Sequence, residues 1–216
     1  MNRRNYQREM EKIIAAQGEN KARLLLHCCC GPCSSSVLER LADKFELTLL
    51  WYNPNIYPEA EFEKRYDAFV KMIADMGLED KLSILRLEHR PEDYSGRVLG
   101  YENEPEGGSR CAICFRLRLE ETARIAKEQN FDYFCTTITL SRHKDAVLIN
   151  AIGETVAKAC SVRWLPSDFK KKDGENRSIE LCEQYDVYRQ LYCGCEFSFL
   201  QRQRVAEEME KAAQQL

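Results

Sequence analysis

The residues with the clearest chemical potential are the cysteines, of which the 216-residue chain has 11. Most of them fall into three groups: Cys28-Cys29-Cys30 with Cys33, Cys111 with Cys114, and Cys193 with Cys195. We interpret the scattered Cys135, Cys160 and Cys182 as small, buried apolar residues. A chain of this length can bury a hydrophobic core without disulfide bonds. The excess of cysteine therefore indicates a chemical role rather than a contribution to stability.

The spacing within each group suits a metal centre or a redox pair. Two residues separate Cys111 from Cys114, which lets both thiolates reach one centre, although structural zinc and redox dithiols share this spacing. Cys193 and Cys195 flank a glycine, so their sulfurs could face one another or one ion. A tetrahedral zinc site and a [4Fe–4S] cluster each take four ligands. The surplus of thiols suggests a cluster plus a bound ion or a reversible dithiol; the alternative is a zinc site with leftover thiols.

Composition and charge limit the class of protein. The formal net charge is −3, so there is no overall basic field for nucleic acid, although basic residues form local clusters. The charged N-terminal segment lacks the apolar core of a signal peptide, and no window approaches the ~20 apolar residues of a membrane span. We therefore expect a cytoplasmic protein without membrane contact, where clustered cysteines more often bind metal or do redox work than form structural disulfides.

Short apolar segments alternate with amphipathic ones along the chain, which predicts strands alternating with helices. The predicted strands cover residues 23–27, 45–52, 82–87, 131–136 and 162–165. The predicted helices cover roughly the first 17 residues, 34–44, 58–76, 114–129 and 143–158, with others after residues 179 and 196. This alternation predicts an α/β fold, a Rossmann-like (nucleotide-hydrolase-like), doubly wound parallel sheet flanked by helices. We expect a single domain over residues 1–216, with a helical extension over 1–20 and a C-terminal helix over 196–216.

The predicted fold places Cys-rich loops at the carboxyl ends of strands, where sites of such sheets lie. The Cys-rich turn follows the first strand, and a turn rich in Thr and Ser follows the fourth. Residues 88–110 are rich in Gly, Pro and acidic side chains and are predicted to form a loop or lid over the site. Neither a G-x-G-x-x-G nor a Walker motif follows the first strand, which argues against a nucleotide-binding loop.

Further motifs accompany the cysteines along the chain. They are LLHCCCGPC (25–33), YNPNIYP (52–58), EFEKR (61–65), GGSRCAICF (107–115), SRHK (141–144), DFKK (168–171) and YRQLYCGCEFS (188–198). In this combination, which spans nearly the whole chain, the sequence resembles the QueH-type epoxyqueuosine reductases. The resemblance implies removal of the epoxide oxygen from epoxyqueuosine at the wobble position of tRNA, which gives queuosine.

The resemblance also implies a cofactor and its ligands. It implies a [4Fe–4S] cluster and no cobalamin. The cluster ligands that it implies are Cys29, Cys30, Cys111 and Cys114. It implies that Cys193 and Cys195 are a redox-active pair, able to form a disulfide bond, or the ligands of an adjacent ion. The candidate ligands of such a second ion, an additional iron, are Cys33, Cys193 and Cys195.

The reaction sets requirements beyond the cluster, because reducing an epoxide to an alkene takes two electrons and two protons. A [4Fe–4S] centre normally passes one electron at a time, so the Cys193/Cys195 dithiol or a second iron would supply the other. His27, next to the cysteines, is the first candidate for the proton donor, and the alternative is that it only orients the loop. An external electron donor is also needed, for which a ferredoxin-like protein is plausible.

A tRNA substrate requires contacts with phosphates and with bases. The basic candidates for backbone contact are Arg142, Lys144, Arg163 and Lys170–Lys172. Phosphate contacts supply most of the salt-dependent affinity for nucleic acid, whereas a lysine run that stands alone is usually a solvated loop. Tyr52, Tyr57 and Phe169 could stack on a splayed base, and their alternative is a place in the core.

Three other functions are kept as alternatives. The first is an iron–sulfur enzyme of the tRNA-thiolating type, which would bind ATP. The second is a zinc-stabilised nucleic-acid-binding module, which would be colourless and contain no sulfide. The third is a plain electron carrier, which would not discriminate modified tRNA.

Overall fold

A computed structural model of the chain describes residues 4–18 and 20–213, the last two of these without their side chains. The strands are β1 (Arg23–His27), β2 (Glu46–Trp51), β3 (Leu82–Arg86), β4 (Tyr133–Thr136) and β5 (Arg163–Trp164). The helices are α1 (Tyr6–Ala15), α2 (Gly31–Leu41), α3 (Glu59–Asp75), α4 (Pro91–Ser95), α5 (Ser109–Glu128), α6 (Ala146–Cys160), α7 (Gly174–Gln184) and α8 (Glu196–Ala213). Short 3-10 helices at Glu79–Lys81 and Thr137–Leu140 precede β3 and follow β4.

The five strands form one parallel sheet in the order β3-β2-β1-β4-β5. The central strand β1 is fully buried at Leu24, Leu25 and Leu26, as expected for a strand covered on both faces. The strand order reverses direction between β1 and β4, so the carboxyl ends of these two strands flank a crevice. Open α/β sheets bind their ligands at such a switch point.

Helices cover the sheet and carry the site segments to this crevice. α2 packs against α3 and α7, while α5 packs against α6, β1 and β4. α2 begins directly after the turn that follows β1, and the 3-10 helix Thr137–Leu140 follows β4 at the same edge. The N-termini of α2 and of α5 bring cysteines to this edge, as described below.

The predicted α/β fold with its parallel sheet is confirmed, and some boundaries differ. The segment predicted as a loop over residues 88–110 contains α4 and the first residues of α5, which begins at Ser109 instead of near residue 114. The side chain of Arg110 donates to the carbonyls of Tyr101 and Glu102, nine and eight residues earlier in the chain, and thereby fixes the start of α5. The polar composition of this segment does not indicate these contacts. α7 begins at Gly174, five residues before the predicted start near 179.

The terminal helices follow the prediction within the described residues. α1 lies inside the predicted N-terminal extension and α8 inside the predicted C-terminal helix. Residues 1–3, 19 and 214–216 of those predicted segments lie outside the described residues. Within the described part of the chain, no helix is both long and apolar enough to cross a membrane.

Gly174 is required where α7 crosses α2. A β-carbon at this position would lie 1.9 Å from the carbonyl oxygen of Phe169, a backbone atom that cannot move freely. The carbonyl of Gly174 also accepts a hydrogen bond of 2.8 Å from the hydroxyl of Ser36 on α2. Gly174→Ala is therefore expected to lower the free energy of unfolding by about 1–3 kcal/mol, the usual cost of overpacking. Chemical denaturation measures the loss; Glu183→Ala, on the exposed face of α7, is the control and should change little.

Candidate functional site

The first cysteine group lies in the turn between β1 and α2, at the switch point. Cys30 is the N-cap residue of α2, and its sulfur accepts a hydrogen bond of 3.4 Å from the backbone N–H of Cys33. The sulfurs of Cys29 and Cys30 are 3.8 Å apart, and those of Cys29, Cys30 and Cys33 all lie within 4.8 Å of one another. Tetrahedral zinc–thiolate bonds of ~2.3 Å would separate two sulfurs by about 3.8 Å. These three sulfurs can therefore contact a common centre.

Negative charge in this group concentrates on Cys30. Hydrogen bonds from Cys29 and Cys33 and the backbone N–H of Cys33 hold the pKa of the Cys30 thiol well below its ordinary value. The hydrogen bond with Cys30 raises the pKa of Cys29 to about 11, and hydrogen bonds with both neighbours raise the pKa of Cys33. The amide of Gln190 also donates to the Cys30 sulfur at 3.1 Å. Cys30 is thus the thiol of the group that loses its proton most readily.

Cys28 differs from its neighbours and faces the core. It is fully buried, and its sulfur lies 3.5 Å from the carbonyl oxygen of Leu26. Burial raises the pKa of its thiol well above the ordinary value. A neutral thiol in this place is a packing residue.

The second group, Cys111 and Cys114, lies in the first turn of α5. The two residues are three positions apart on the helix, so their side chains lie on one face. The backbone N–H of Gly107 donates to the Cys111 sulfur at 3.2 Å. Burial raises the pKa of Cys114 to about 12, although the charge of Arg118 opposes this shift.

Arg118 connects the cysteine groups electrostatically. It lies one turn after Cys114, is 5% exposed, and its Nε donates to the Cys114 carbonyl at 3.1 Å. Burial disfavours its charged form, yet the charges of Cys114, Cys29 and Cys193 raise the pKa of the guanidinium. These cysteines come from all three groups, so the charge of Arg118 acts on a member of each group.

The third group, Cys193-Gly194-Cys195, forms a turn before α8. Cys193 is exposed, whereas Cys195 is buried with its sulfur 3.5 Å from the Ser198 hydroxyl. Gly194 has a φ of +137°, a conformation that favours glycine, and its carbonyl accepts a hydrogen bond of 2.8 Å from the Tyr57 backbone. All cysteines of the chain are free, so the predicted disulfide is not present and the pair is a dithiol.

Arg65 on α3 holds this turn in place. Its side chain is 2% exposed and donates to the carbonyls of Cys193 at 3.1 Å and Tyr192 at 3.2 Å. Its Nε forms an ion pair of 2.8 Å with Glu61, whose carboxylate also accepts from the Tyr188 hydroxyl at 3.1 Å. The turn therefore depends on a buried polar network anchored to a helix.

A cavity of about 550 Å³ opens beside Cys193. The residues that line it are Glu106, Ser141, His143, Lys144, Gln190, Leu191, Tyr192 and Cys193. Lys144 pairs with Glu106 at 2.7 Å, and its side chain is 9% exposed. Burial disfavours its charge, but the charges of Cys193 and Glu106 raise the pKa of Lys144, so it stays cationic. Gln190, which lines the cavity, also donates to the Cys30 sulfur, so one side chain lies between the cavity and the first cysteine group.

His27 is fully buried at the end of β1. Its Nε2 lies 3.1 Å from the Tyr52 carbonyl, which can only accept, so Nε2 carries the proton. Its Nδ1 then accepts from the Thr136 hydroxyl at 2.9 Å. Burial lowers the pKa of His27 to about 4. Both ring nitrogens are engaged, so the geometry favours the orienting role over that of the proton donor.

The arrangement of the predicted site residues differs in one respect from the expected grouping. Cys33 lies with Cys29 and Cys30, whereas it was predicted as a ligand of a second ion beside Cys193 and Cys195. Among the described residues, no other set of three potential ligands lies at single-ion spacing. The ligand assignments themselves remain predictions.

Sequence reasoning missed three side chains of the site: Arg65, Arg118 and Gln190. Arg118 follows Cys114 by four residues, so helical spacing could have placed it on the same face. Arg65 is the last residue of the EFEKR motif, but nothing in the sequence connects it to the turn at Cys193, 128 residues away. Tyr52 and Phe169, proposed as stacking residues, are buried, whereas Tyr57 is 41% exposed.

Replacing Arg65 tests the support of the Cys193–Cys195 turn. Arg65→Met leaves the Glu61 carboxylate and two carbonyls without their partner and is expected to cost about 3–5 kcal/mol of unfolding free energy. Arg65→Lys keeps the charge but loses the fork geometry, so an intermediate loss is expected. Chemical denaturation gives the values. Arg124→Met removes two exposed ion pairs, with Glu121 and Glu128, and should cost less than about 1 kcal/mol; a cost equal to that of Arg65→Met would contradict the role of Arg65.

The burial of neutral His27 predicts an acid-sensitive stability. Its folded pKa of about 4 lies below the ordinary 6.5, so between these values the unfolded chain binds a proton that the folded chain does not. Stability should therefore fall by roughly 3 kcal/mol as pH drops from 6.5 to 4. Denaturation curves at several pH values measure this slope. His27→Gln should reduce the slope of stability against pH, whereas His143→Gln, at the surface, should not change this slope. An unchanged slope in both variants would contradict the conclusion that buried His27 causes the acid sensitivity.

Comparisons with known proteins identify the family of the chain. The sequence model of the family described as "Epoxyqueuosine reductase QueH" matches residues 24–201. Proteins named Epoxyqueuosine reductase QueH from Streptococcus pyogenes serotype M1 and Staphylococcus epidermidis are each 39% identical, over 90% and 97% of this chain and 78% and 91% of their own lengths. One from Thermotoga maritima is 31% identical over 87% of this chain and 96% of its own.

A solved structure shares the fold at low identity. It is the U34-tRNA thiolase NcsA from Methanococcus maripaludis with its [4Fe-4S] cluster, with a TM-score of 0.51 and 18% identity. The likeness covers 89% of this chain and 67% of the thiolase. It agrees with the α/β architecture described above. The match over residues 24–201, together with relatives of up to 39% identity over nearly the full length, shows that the chain belongs to the QueH family of epoxyqueuosine reductases.

Proposed function

We propose that this protein reduces epoxyqueuosine to queuosine at the wobble position of tRNA. The observation that carries the proposal is the set of three cysteine sulfurs, of Cys29, Cys30 and Cys33, within 4.8 Å of one another at the switch point of the fold. An exposed thiol and a cavity beside it give a substrate access to this place. Membership of the reductase family supplies the substrate and the reaction class.

The donor set fits an iron–sulfur cofactor. Cluster ligands are thiolates, and this site directs hydrogen-bond donors and positive charge toward its sulfurs, because backbone N–H groups point at Cys30 and Cys111 and the buried guanidinium of Arg118 follows Cys114 by one helical turn. We assign the ligands of a [4Fe–4S] cluster to Cys29, Cys30, Cys111 and Cys114. When bound, the cluster supplies single-electron transfer, and no cobalamin is included. Cys193 and Cys195 remain the candidate ligands of an additional iron, whereas Cys33 lies with Cys29 and Cys30.

The Cys193–Cys195 dithiol can balance the reaction. An epoxide that loses its oxygen as water gains two electrons and two protons, and leaves an alkene. Oxidation of the two thiols to a disulfide releases two electrons and two protons. The exposed Cys193 faces the cavity while Cys195 lies behind it, an order that suits a contacting thiol and a buried partner. An external donor, such as a ferredoxin-like protein, then restores the dithiol.

Residues of the cavity bind and orient the substrate. Lys144 places a fixed positive charge beside Cys193, where an epoxide oxygen gains negative charge as its bond to carbon breaks. Glu106 holds the Lys144 ammonium at 2.7 Å and so limits its movement. His27 fixes the backbone before the cysteines through its bonds to Tyr52 and Thr136.

Serine variants separate the two sets of cysteines. Serine at Cys29, Cys30, Cys111 or Cys114 is expected to remove most iron and sulfide, because a hydroxyl is a poor ligand for the cluster. Serine at Cys193 or Cys195 should retain sulfide and stop turnover of tRNA containing epoxyqueuosine. Iron, sulfide and product analysis after anaerobic purification measures both effects. Cys160→Ser is the control and should keep cofactor and activity.

Two results would contradict the proposal. Wild-type protein should contain about four irons and four sulfides per chain. Zinc without sulfide, even after attempted reconstitution, would favour a zinc-stabilised binding module. An active Cys193→Ser/Cys195→Ser double variant would exclude the dithiol step. Loss of a single iron in that variant, with sulfide unchanged, would assign the pair to the second ion.

A further inference from the structure

A second cavity adjoins the one beside Cys193. Its volume is about 420 Å³, and the two cavities share Lys144 as a common wall. The charged residues that line it are Arg4, Lys144, Asp145, Asp168, Lys170 and Lys171. Four of these are cationic and two are acidic, and carboxylates outside the lining pair with Arg4 and Lys144, so Lys171 is the cation of the lining that has no ion pair within the described residues.

Both acidic side chains of this cavity are engaged within the protein. Asp145 caps α6, and its carboxylate accepts from the backbone N–H groups of Val147 and Leu148. Asp168 lies 3.3 Å from the Lys170 ammonium. Their charges therefore serve the local fold and do not close the cavity to an anion.

The basic side chains are held in position to different degrees. The Lys170 ammonium donates to the carbonyl of Thr139 at 2.9 Å and to that of Lys144 at 3.2 Å. Arg4 forms ion pairs with Glu9 and Glu154 and lies over the ring of Tyr6. Lys171 is exposed and makes no side-chain hydrogen bond or ion pair within the described residues. A lysine run in a solvated loop would not be tied to the active-site edge in this way.

Because Lys144 lines both cavities, the second cavity lies next to the one beside Cys193, and this position limits which ligands it can bind. A nucleotide whose base enters the cavity beside Cys193 carries its phosphates within one nucleotide length of that base. The adjoining cavity, with Lys171 unpaired in the described part of the chain, lies next to this place, whereas Arg163, another predicted basic contact, lies at the amino end of the sheet, at the start of β5. We propose that the cavity lined by Arg4, Lys170 and Lys171 binds anticodon-loop phosphates that flank the wobble nucleotide. This inference rests on the proposed tRNA substrate.

Salt-dependent RNA binding tests the phosphate site. Fluorescence anisotropy would follow a labelled anticodon stem–loop with guanine at the wobble position, and tRNA with epoxyqueuosine, against the holoenzyme. Lys171→Met removes one phosphate contact, so affinity should fall about fivefold at ~0.15 M salt, and the slope against log salt should decrease by about 1. The loss should be the same for both RNAs, because phosphates carry no base information. Lys171→Arg should restore binding, and in the reaction Lys171→Met should raise KM.

A matched control distinguishes RNA binding at the cavity from a general effect of the net charge of the protein on RNA affinity. Lys158 lies near the opposite end of α6, at the amino edge of the sheet, and is exposed. Lys158→Met should bind RNA as the wild type does. Equal weakening by Lys158→Met, or wild-type binding and slope in Lys171→Met, would overturn the phosphate site. If the wild type binds RNA with the expected Lys171 effect but does not reduce epoxyqueuosine, the proposed reaction fails and the phosphate site stands.

Discussion

The interaction on which the site depends is the balance between the buried guanidinium of Arg118 and the sulfurs around it. A charge so far from water is costly unless opposite charge and hydrogen bonds compensate for it. The side-chain hydrogen bond of Arg118 among the described residues goes to the Cys114 carbonyl, and the charge that Cys114, Cys29 and Cys193 carry when deprotonated raises its pKa. The cation thus favours deprotonation of these thiols, and their deprotonation, alone or on binding a metal group, stabilises the cation. This mutual dependence links the folded state to the chemistry of the site.

The topology of the sheet makes this convergence possible. The reversal of strand order between β1 and β4 opens a crevice into which the start of α2 projects. α5 crosses to the other face of the sheet and brings its first turn to the same place. The N-terminus of a helix favours negative charge, so two helices that begin at the site each stabilise a sulfur anion. In a nucleotide-binding relative of this architecture the same position would hold phosphate; here the turn after β1 carries cysteines.

The sequence alone predicted those structural features that depend on local patterns of residues. β1 was predicted with its observed bounds because RLLLH is a short, continuous apolar run, and the three cysteine groups were predicted from spacing alone. The start of α5 was missed because its stabilising contacts, from Arg110 to residues 101 and 102, are tertiary and lie within an acidic, glycine-rich segment. The neighbours of Cys33 depend on how α2 begins, and the roles of Arg65 and Arg118 depend on packing between distant elements. No periodicity in the sequence encodes such contacts.

The environments of the cysteine groups also explain why one chain needs so many. Sulfurs that hold a buried group must be shielded from water and kept anionic, as hydrogen bonding and charge do for Cys30. A thiol that exchanges electrons with a large substrate must instead reach the surface, as Cys193 does, while its partner Cys195 stays covered. A short turn can place two sulfurs in such different surroundings only if hydrogen bonds from the protein interior hold its backbone in place. Arg65 provides that fixation through two carbonyls, so the exposed thiol sits on a rigid support although it lies in a loop.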